Sequence, residues 1–92
     1  MIGPKIRKRP NMVRGELPDG EAVVSIAGGP SAYILNSMAD AVLELCDGSR
    51  TIAEIAELVR ATVKVPVGVD VDHDVARLVD ELVRAGVVEA IV

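Results

Sequence analysis

The residues best equipped for chemistry are few and scattered along the chain. His73 is the single histidine and Cys46 the single cysteine. The run Asp70-Val71-Asp72-His73-Asp74 crowds three carboxylates around an imidazole, a composition that suits a cation loop. No Gly and distal Glu follow at EF-hand spacing, however. Three acids ahead of an apolar-periodic run are better accounted for by capping and by the partial positive charge of a helix N-terminus. Cys46 falls on the apolar side of a helical pattern with no neighbouring base to activate it. It has no second cysteine for an internal disulfide, and no CxxC or Cys/His cluster is present. Gly28-Gly29 lacks the Gly-Lys-Ser/Thr ending of a phosphate loop and reads as a turn. His73 starts an exposed helical face and reads as a solvated surface residue. These residues predict no catalytic site, no metal and no cofactor.

The elements that would position a binding surface follow from composition and pattern. Half of the 92 residues are hydrophobic and Tyr33 is the only aromatic, so one core must be assembled from Val, Leu, Ile and Ala. No apolar run approaches the roughly 18 residues that span a bilayer, and no signal-peptide stretch opens the chain. A soluble, cytoplasmic protein with no membrane partner is expected. The net charge of −4 hides an asymmetry. Lys5, Arg7, Lys8, Arg9 and Arg14 are half of the ten basic residues, whereas every acid lies at or beyond Glu16. With Gly3, Pro4 and Pro10 among the positive charges, residues 1–12 read as a flexible basic arm ahead of a domain over residues 13–92.

Val13 to Leu17 can form a strand before the turn Pro18-Asp19-Gly20, and a second strand follows from Glu21 to Ala27. Gly28-Gly29-Pro30 breaks the pattern and Ser31-Ala32-Tyr33-Ile34-Leu35 resumes it, giving a three-stranded antiparallel meander. The apolar period then changes from two to 3.6. Met38, Ala41, Val42, Leu45 and Cys46 mark a first helix, capped by Asn36 or Ser37 and ended by Asp47-Gly48. Thr51-Ile52-Ala53-Glu54 has the form of a capping box and announces a second helix with a stripe of Ile52, Ile55, Ala56, Val59 and Val63, stopped by Pro66 and Gly68. A third helix runs from Asp70 or Asp72 to Ala85, ahead of Gly86 and a short apolar tail over Val87 to Val92 that could pack or pair. The fold class is α+β.

Taken in order, the hairpin ending in Leu35-Asn36, the helix ending in Leu45-Cys46-Asp47-Gly48, the helix start Arg50-Thr51-Ile52-x-x-Ile55 and the helix from Asp74-Val75 to Gly86-Val87-Val88 resemble the PqqD family. The resemblance implies a winged helix-turn-helix-like module, a stand-alone precursor-peptide recognition element. Such elements bind the leader of a ribosomally made precursor peptide and present it to a modifying enzyme, commonly a radical SAM enzyme. PqqD itself serves pyrroloquinoline quinone synthesis. Members of that pathway usually carry a Pro-Glu-Gly type segment between the second and third strands, where this chain has Gly28-Gly29-Pro30. The resemblance therefore implies the general module more than the particular pathway.

An open meander leaves an edge of unpaired N–H and C=O groups to which an extended peptide can add. The family uses its third strand, here Ser31, Ala32, Tyr33, Ile34 and Leu35, with the third helix as the wall beside it. On that helix Val71, Val75, Leu78 and Leu82 form a central stripe, and Ala76, Val79 and Val83 widen it on one flank. That flank, with Val71 and Val75 beside it, is expected to line the groove, with Asp72, Asp74, Arg77 or Glu81 setting the charge at its rim. Tyr33 can be a wall of the groove or the one large filler of the interior; alternation sets it on the same side as Leu35 and favours the core, leaving Ala32 and Ile34 on the other face, so that an exposed Ile34 would favour binding.

Two other classes share this element order. A winged-helix DNA-binding regulator would need positive charge on its recognition helix. Here Asp70, Asp72, Asp74, Asp80 and Glu81 oppose only Arg77 and Arg84, which predicts no nucleic-acid partner. A self-associating structural domain would pair the same open edge with another copy, giving a homodimer.

Overall fold

The computed structural model describes residues 3–29, 32–62 and 67–91. Pro30, Ser31, Val63, Pro66 and Val92, each part of a sequence-level expectation, lie outside the described residues. Along the chain run β1 (Lys5–Lys8), β2 (Met12–Glu16), β3 (Ala22–Ile26), β4 (Ala32–Leu35), α1 (Ser37–Leu45), β5 (Asp47–Thr51), α2 (Ile52–Thr62), α3 (Val71–Arg84) and β6 (Val88–Ile91). The fold is α+β, with two three-stranded antiparallel sheets ordered β2-β3-β4 and β5-β1-β6.

The first sheet is the expected meander. Met12 pairs with Ile26 at one end of the β2–β3 ladder and Glu16 with Ala22 at the other, and β3 continues into β4 with Ala22 opposite Leu35. Alternation turns Ala22 and Val24 fully inward. The helices follow their caps. Asn36 accepts a hydrogen bond from the Ala39 amide at 2.8 Å, and Asp70 accepts one from the His73 amide at 3.1 Å. Thr51 and Glu54 form the reciprocal box, the Thr51 amide donating to Glu54 Oε1 at 3.0 Å and the Glu54 amide to Thr51 Oγ1 at 3.2 Å.

The second sheet departs from the sequence reading. Lys5–Lys8, expected in a flexible arm, is its central strand, paired with β5 on one side and with β6 on the other. Ile6 is buried in the common core, and the Lys8 and Arg9 amides donate to the carbonyls of Cys46 and Val87, both at 3.0 Å. A four-residue strand with one apolar side chain has no periodicity to display, and its partners lie some forty and eighty positions away. Only tertiary pairing can define it. Carboxylates of β6 and α1 face the basic segment: Arg7 Nε donates to Glu89 Oε2 at 2.6 Å, and Lys8 lies 4.0 Å from a Glu44 carboxylate oxygen.

Asp47-Gly48, expected to end α1, also opens β5. Between the pairs Ile6–Arg50 and Arg7–Asp47, Gly48 and Ser49 bulge out of the ladder. Gly48 has φ +87°, and a β-carbon there would meet the Ile91 side chain at 3.4 Å and the Arg7 side chain at 3.5 Å, so glycine alone suits the position. At the far end Gly86 takes φ +78° while the Val87 amide donates to the Leu82 carbonyl at 3.0 Å. This helix stop turns Val87 and Val88 back into the core and starts β6. The core joins both sheets to all three helices through Ile6, Val24, Val42, Leu43, Ile55, Val59, Val75, Val79, Val87 and Val88, without an aromatic ring.

Candidate functional site

Among the described residues β4 is paired on one side only, and the ladder dictates which of its groups are free. The Leu17 amide donates to the Glu21 carbonyl and the Ala27 amide to the Asn11 carbonyl, both at 2.8 Å, so odd-numbered residues join β2 to β3. Even-numbered residues of β3 then face β4, pairing Ala22 with Leu35 and Val24 with Tyr33. The N–H and C=O groups of Ala32 and Ile34 therefore point away from the sheet, along its open edge. Ile34 is 66% exposed, an uncommon place for a large aliphatic side chain.

Beside this edge runs a groove of about 310 Å³. Tyr33, Ile34 and Leu35 of β4 form one wall. Leu78, Glu81 and Leu82 of α3, with Ala85 just after it, form the other, and Ala39 of α1 lies between. Glu81 is the one charged side chain of this lining, and Arg77 donates to its Oε1 at 3.1 Å. Arg84 lies 3.0 Å from Asp80, so both arginines of α3 are engaged with carboxylates one turn away and neither stands ready for a phosphate.

The groove uses a different flank of α3 from the one expected. Val71, Val75 and Val79 are buried in the core, where the helix packs on α2. Ala76 and Val83 are exposed but lie roughly 150° round the helix from the groove-lining residues. Asp72 pairs with Arg60 and borders another cavity of about 550 Å³, between Gly3-Pro4 and the first turns of α2 and α3. Of the two places open to Tyr33, it takes the groove wall, 41% exposed, because β4 ends the sheet and only Leu35 reaches the packed interior. Ala32 is exposed and Leu35 buried, while Ser31 lies outside the described residues. Of the expected set, Tyr33, Ile34 and Leu35 line the groove and Ala32 lies on the adjoining edge. Leu78 and Leu82 belong to the expected core stripe, and Ala85 is the expected end of the helix. Their signal was present, since two leucines one turn apart are the largest apolar side chains of α3.

Electrostatics hold the sheet on its helices. Arg14 of β2 grips Asp40 of α1 with two bonds, Nε to Oδ1 at 2.8 Å and Nη2 to Oδ2 at 2.6 Å. Those bonds hold the Asp40 carboxyl below its usual range and raise the Arg14 guanidinium further. Cys46 is fully buried and donates to the Val42 carbonyl at 3.3 Å, and burial pushes its thiol up to about 11, which leaves it an inert core side chain. Among the described residues no cluster of His, Cys, Asp and Glu has metal-binding geometry, and no helix is long and apolar enough to cross a membrane.

Comparison with solved structures places this arrangement among known folds. The chain is similar to a lasso peptide synthetase B1 solved with a leader peptide, with 21% identity and a TM-score of 0.73 over 92% of this chain and 98% of that one. It is similar to TbiB1, solved in complex with the TbiA(beta) leader peptide, at 17% identity and a TM-score of 0.71 over 94% and 98% of the two chains. It also resembles part of the heterocyclase TruD, at 13% identity and a TM-score of 0.67, covering 97% of this chain and 12% of that one. At these identities the likeness establishes a shared fold. No curated protein sequence matches the chain. Residues 21–88 match the family described as "Coenzyme PQQ synthesis protein D (PqqD)", and with most of its 92 residues so matched the chain belongs to the PqqD family.

Proposed function

We propose that this protein holds the leader segment of a ribosomally synthesised precursor peptide as an added strand on β4 and presents it to a separate modifying enzyme, performing no bond chemistry itself. The observation that carries this reading is the open β4 edge, with the outward backbone groups of Ala32 and Ile34 running beside an apolar groove. Membership of the PqqD family supports it, as do two proteins of the same fold that were solved with leader peptides. The partner is a radical SAM enzyme or another peptide-modifying enzyme. The buried, unpaired Cys46 suits a reducing cytoplasm.

The magnitudes explain why both edge and groove are needed. Two leucine-sized leader side chains in the groove would contribute about 3 to 6 kcal/mol before association costs. Micromolar binding needs about 8 kcal/mol net. The backbone ladder supplies the difference in a sequence-tolerant way, and the groove selects which apolar side chains lie beside it.

Ala32→Pro and Ile34→Pro each remove one outward N–H without removing a bond to β3, and proline is tolerated on edge strands. Calorimetric titration with leader segments of the precursor peptides encoded beside its gene should show affinity at least about tenfold weaker for a folded Pro variant. Unchanged affinity in such a variant would overturn the edge.

A further inference from the structure

Among the described residues the opposite edge of the same sheet is open as well. Among the described residues β2 pairs only with β3, through its odd-numbered positions, so the backbone groups of Arg14 and Glu16 face outward as those of Ala32 and Ile34 do on β4. The sequence along this edge is Val13-Arg14-Gly15-Glu16-Leu17. Read against itself in the antiparallel direction about Gly15, it sets Arg14 opposite Glu16, Gly15 opposite Gly15 and Val13 opposite Leu17.

We propose that β2 pairs with β2 of a second copy of this chain, about a two-fold axis through Gly15. In this register Arg14 of each copy and Glu16 of the other are hydrogen-bonded partners, exchanging the N–H and C=O groups that the single chain leaves outward. Their side chains form two symmetric ion pairs on one face, and Val13 packs on Leu17 on the other. Parity of the free backbone groups permits only even shifts of pairing. Centring on Arg14 would oppose two guanidinium groups and centring on Glu16 two carboxylates, both destabilising. Of these three centres only Gly15 meets its own image without a like-charge contact, and it sets each Arg14 opposite a Glu16.

The side chains are available for it. Glu16 is 78% exposed, with a 3.4 Å contact to Arg14 Nη1 of its own chain, while the Arg14–Asp40 grip uses Nε and Nη2. Nη1 holds only the long 3.4 Å bond to its own exposed Glu16, which pairing exchanges for the Glu16 carboxylate of the second copy. Pairing would cover an edge that otherwise invites indiscriminate strand addition. It would merge two sheets into one of six strands in the order β4-β3-β2-β2-β3-β4. Both β4 edges would remain open at its ends, about 24 Å apart at the usual strand spacing, so each dimer would offer two peptide-holding edges.

Sedimentation velocity over a concentration series tests this with the full chain. The wild type should pass from monomer to dimer as concentration rises. Glu16→Lys, which opposes like charges at both symmetric positions, should raise the dimer dissociation constant at least about tenfold, and Glu16→Pro, which removes an outward N–H, should do the same; circular dichroism verifies that each is folded. Register is read by cross-linking, since Cys46 is buried. Gly15→Cys should oxidise to a disulfide-linked dimer, whereas Val13→Cys, placed opposite Leu17, should not. A wild type that stays monomeric throughout, a folded Glu16→Lys that associates as well as the wild type, or Val13→Cys linking as fast as Gly15→Cys would overturn the proposal.

Discussion

At the scale of single residues, the carboxylates of this protein act as structural ligands for backbone and guanidinium groups. Asp70 caps α3, Glu54 returns a bond to Thr51 at the start of α2, and Asp47 accepts from Ser49, which lowers its pKa. Asp40 has the strongest partner, and its depressed pKa sets a sign. The Arg14–Asp40 pair is at full strength above the pKa of an unfolded aspartate, about 3.9. Its contribution is lost as the pH falls through the lower folded value. Asp40→Asn should therefore lower the melting temperature by about 5 °C at neutral pH. The gap from wild type should narrow as the pH falls below about 4 and close only below the lower folded value, where both chains carry a neutral group. Thermal melts across that range check it, and a gap that persists in acid would assign the loss to packing.

At the scale of elements, α3 illustrates what an apolar arc can and cannot specify. The arc over Val71, Val75, Leu78, Val79, Leu82 and Val83 was legible from spacing, and so were its stop at Gly86 and a start at Asp70 or Asp72, between which the structure selects Asp70. The flank that faces β4 was not, because periodicity defines a face of a helix and leaves its neighbour undefined. The structure turns Val75 and Val79 onto the core and Leu78 with Leu82 toward Tyr33 and Leu35. This difference separates the two candidate grooves by experiment. Leu78→Asp should weaken leader binding at least about tenfold by placing a charge in the apolar cleft. Val83→Asp, on the exposed opposite flank, should change it by less than about twofold. The reverse ranking in a titration of both folded variants would move the groove to the other side of the helix.

At the scale of the whole molecule, the second sheet makes Lys5–Lys8 and Val88–Ile91 part of one structure. Ile6 enters the same core as Val87 and Val88, although more than eighty positions separate them. The basic segment is thereby an internal strand of the fold. Ile6→Ala should cost about 3 kcal/mol, a large share of the roughly 5 to 15 kcal/mol that a small domain possesses. Urea unfolding at neutral pH measures it, and a loss below about 0.5 kcal/mol would return residues 1–12 to the status of a loose arm. What the sequence determined by itself was local: three helix caps, the turn at Pro18-Asp19-Gly20, the helix stop at Gly86, the α+β class and the motifs of the PqqD family. Each depends on groups within a few residues of one another, where side-chain chemistry and backbone conformation are directly coupled. Tertiary structure alone decided the β5-β1-β6 sheet, the exposure of Tyr33 and the flank of α3 that lines the groove. Those follow from pairing and packing between distant segments, which a periodic pattern permits without selecting.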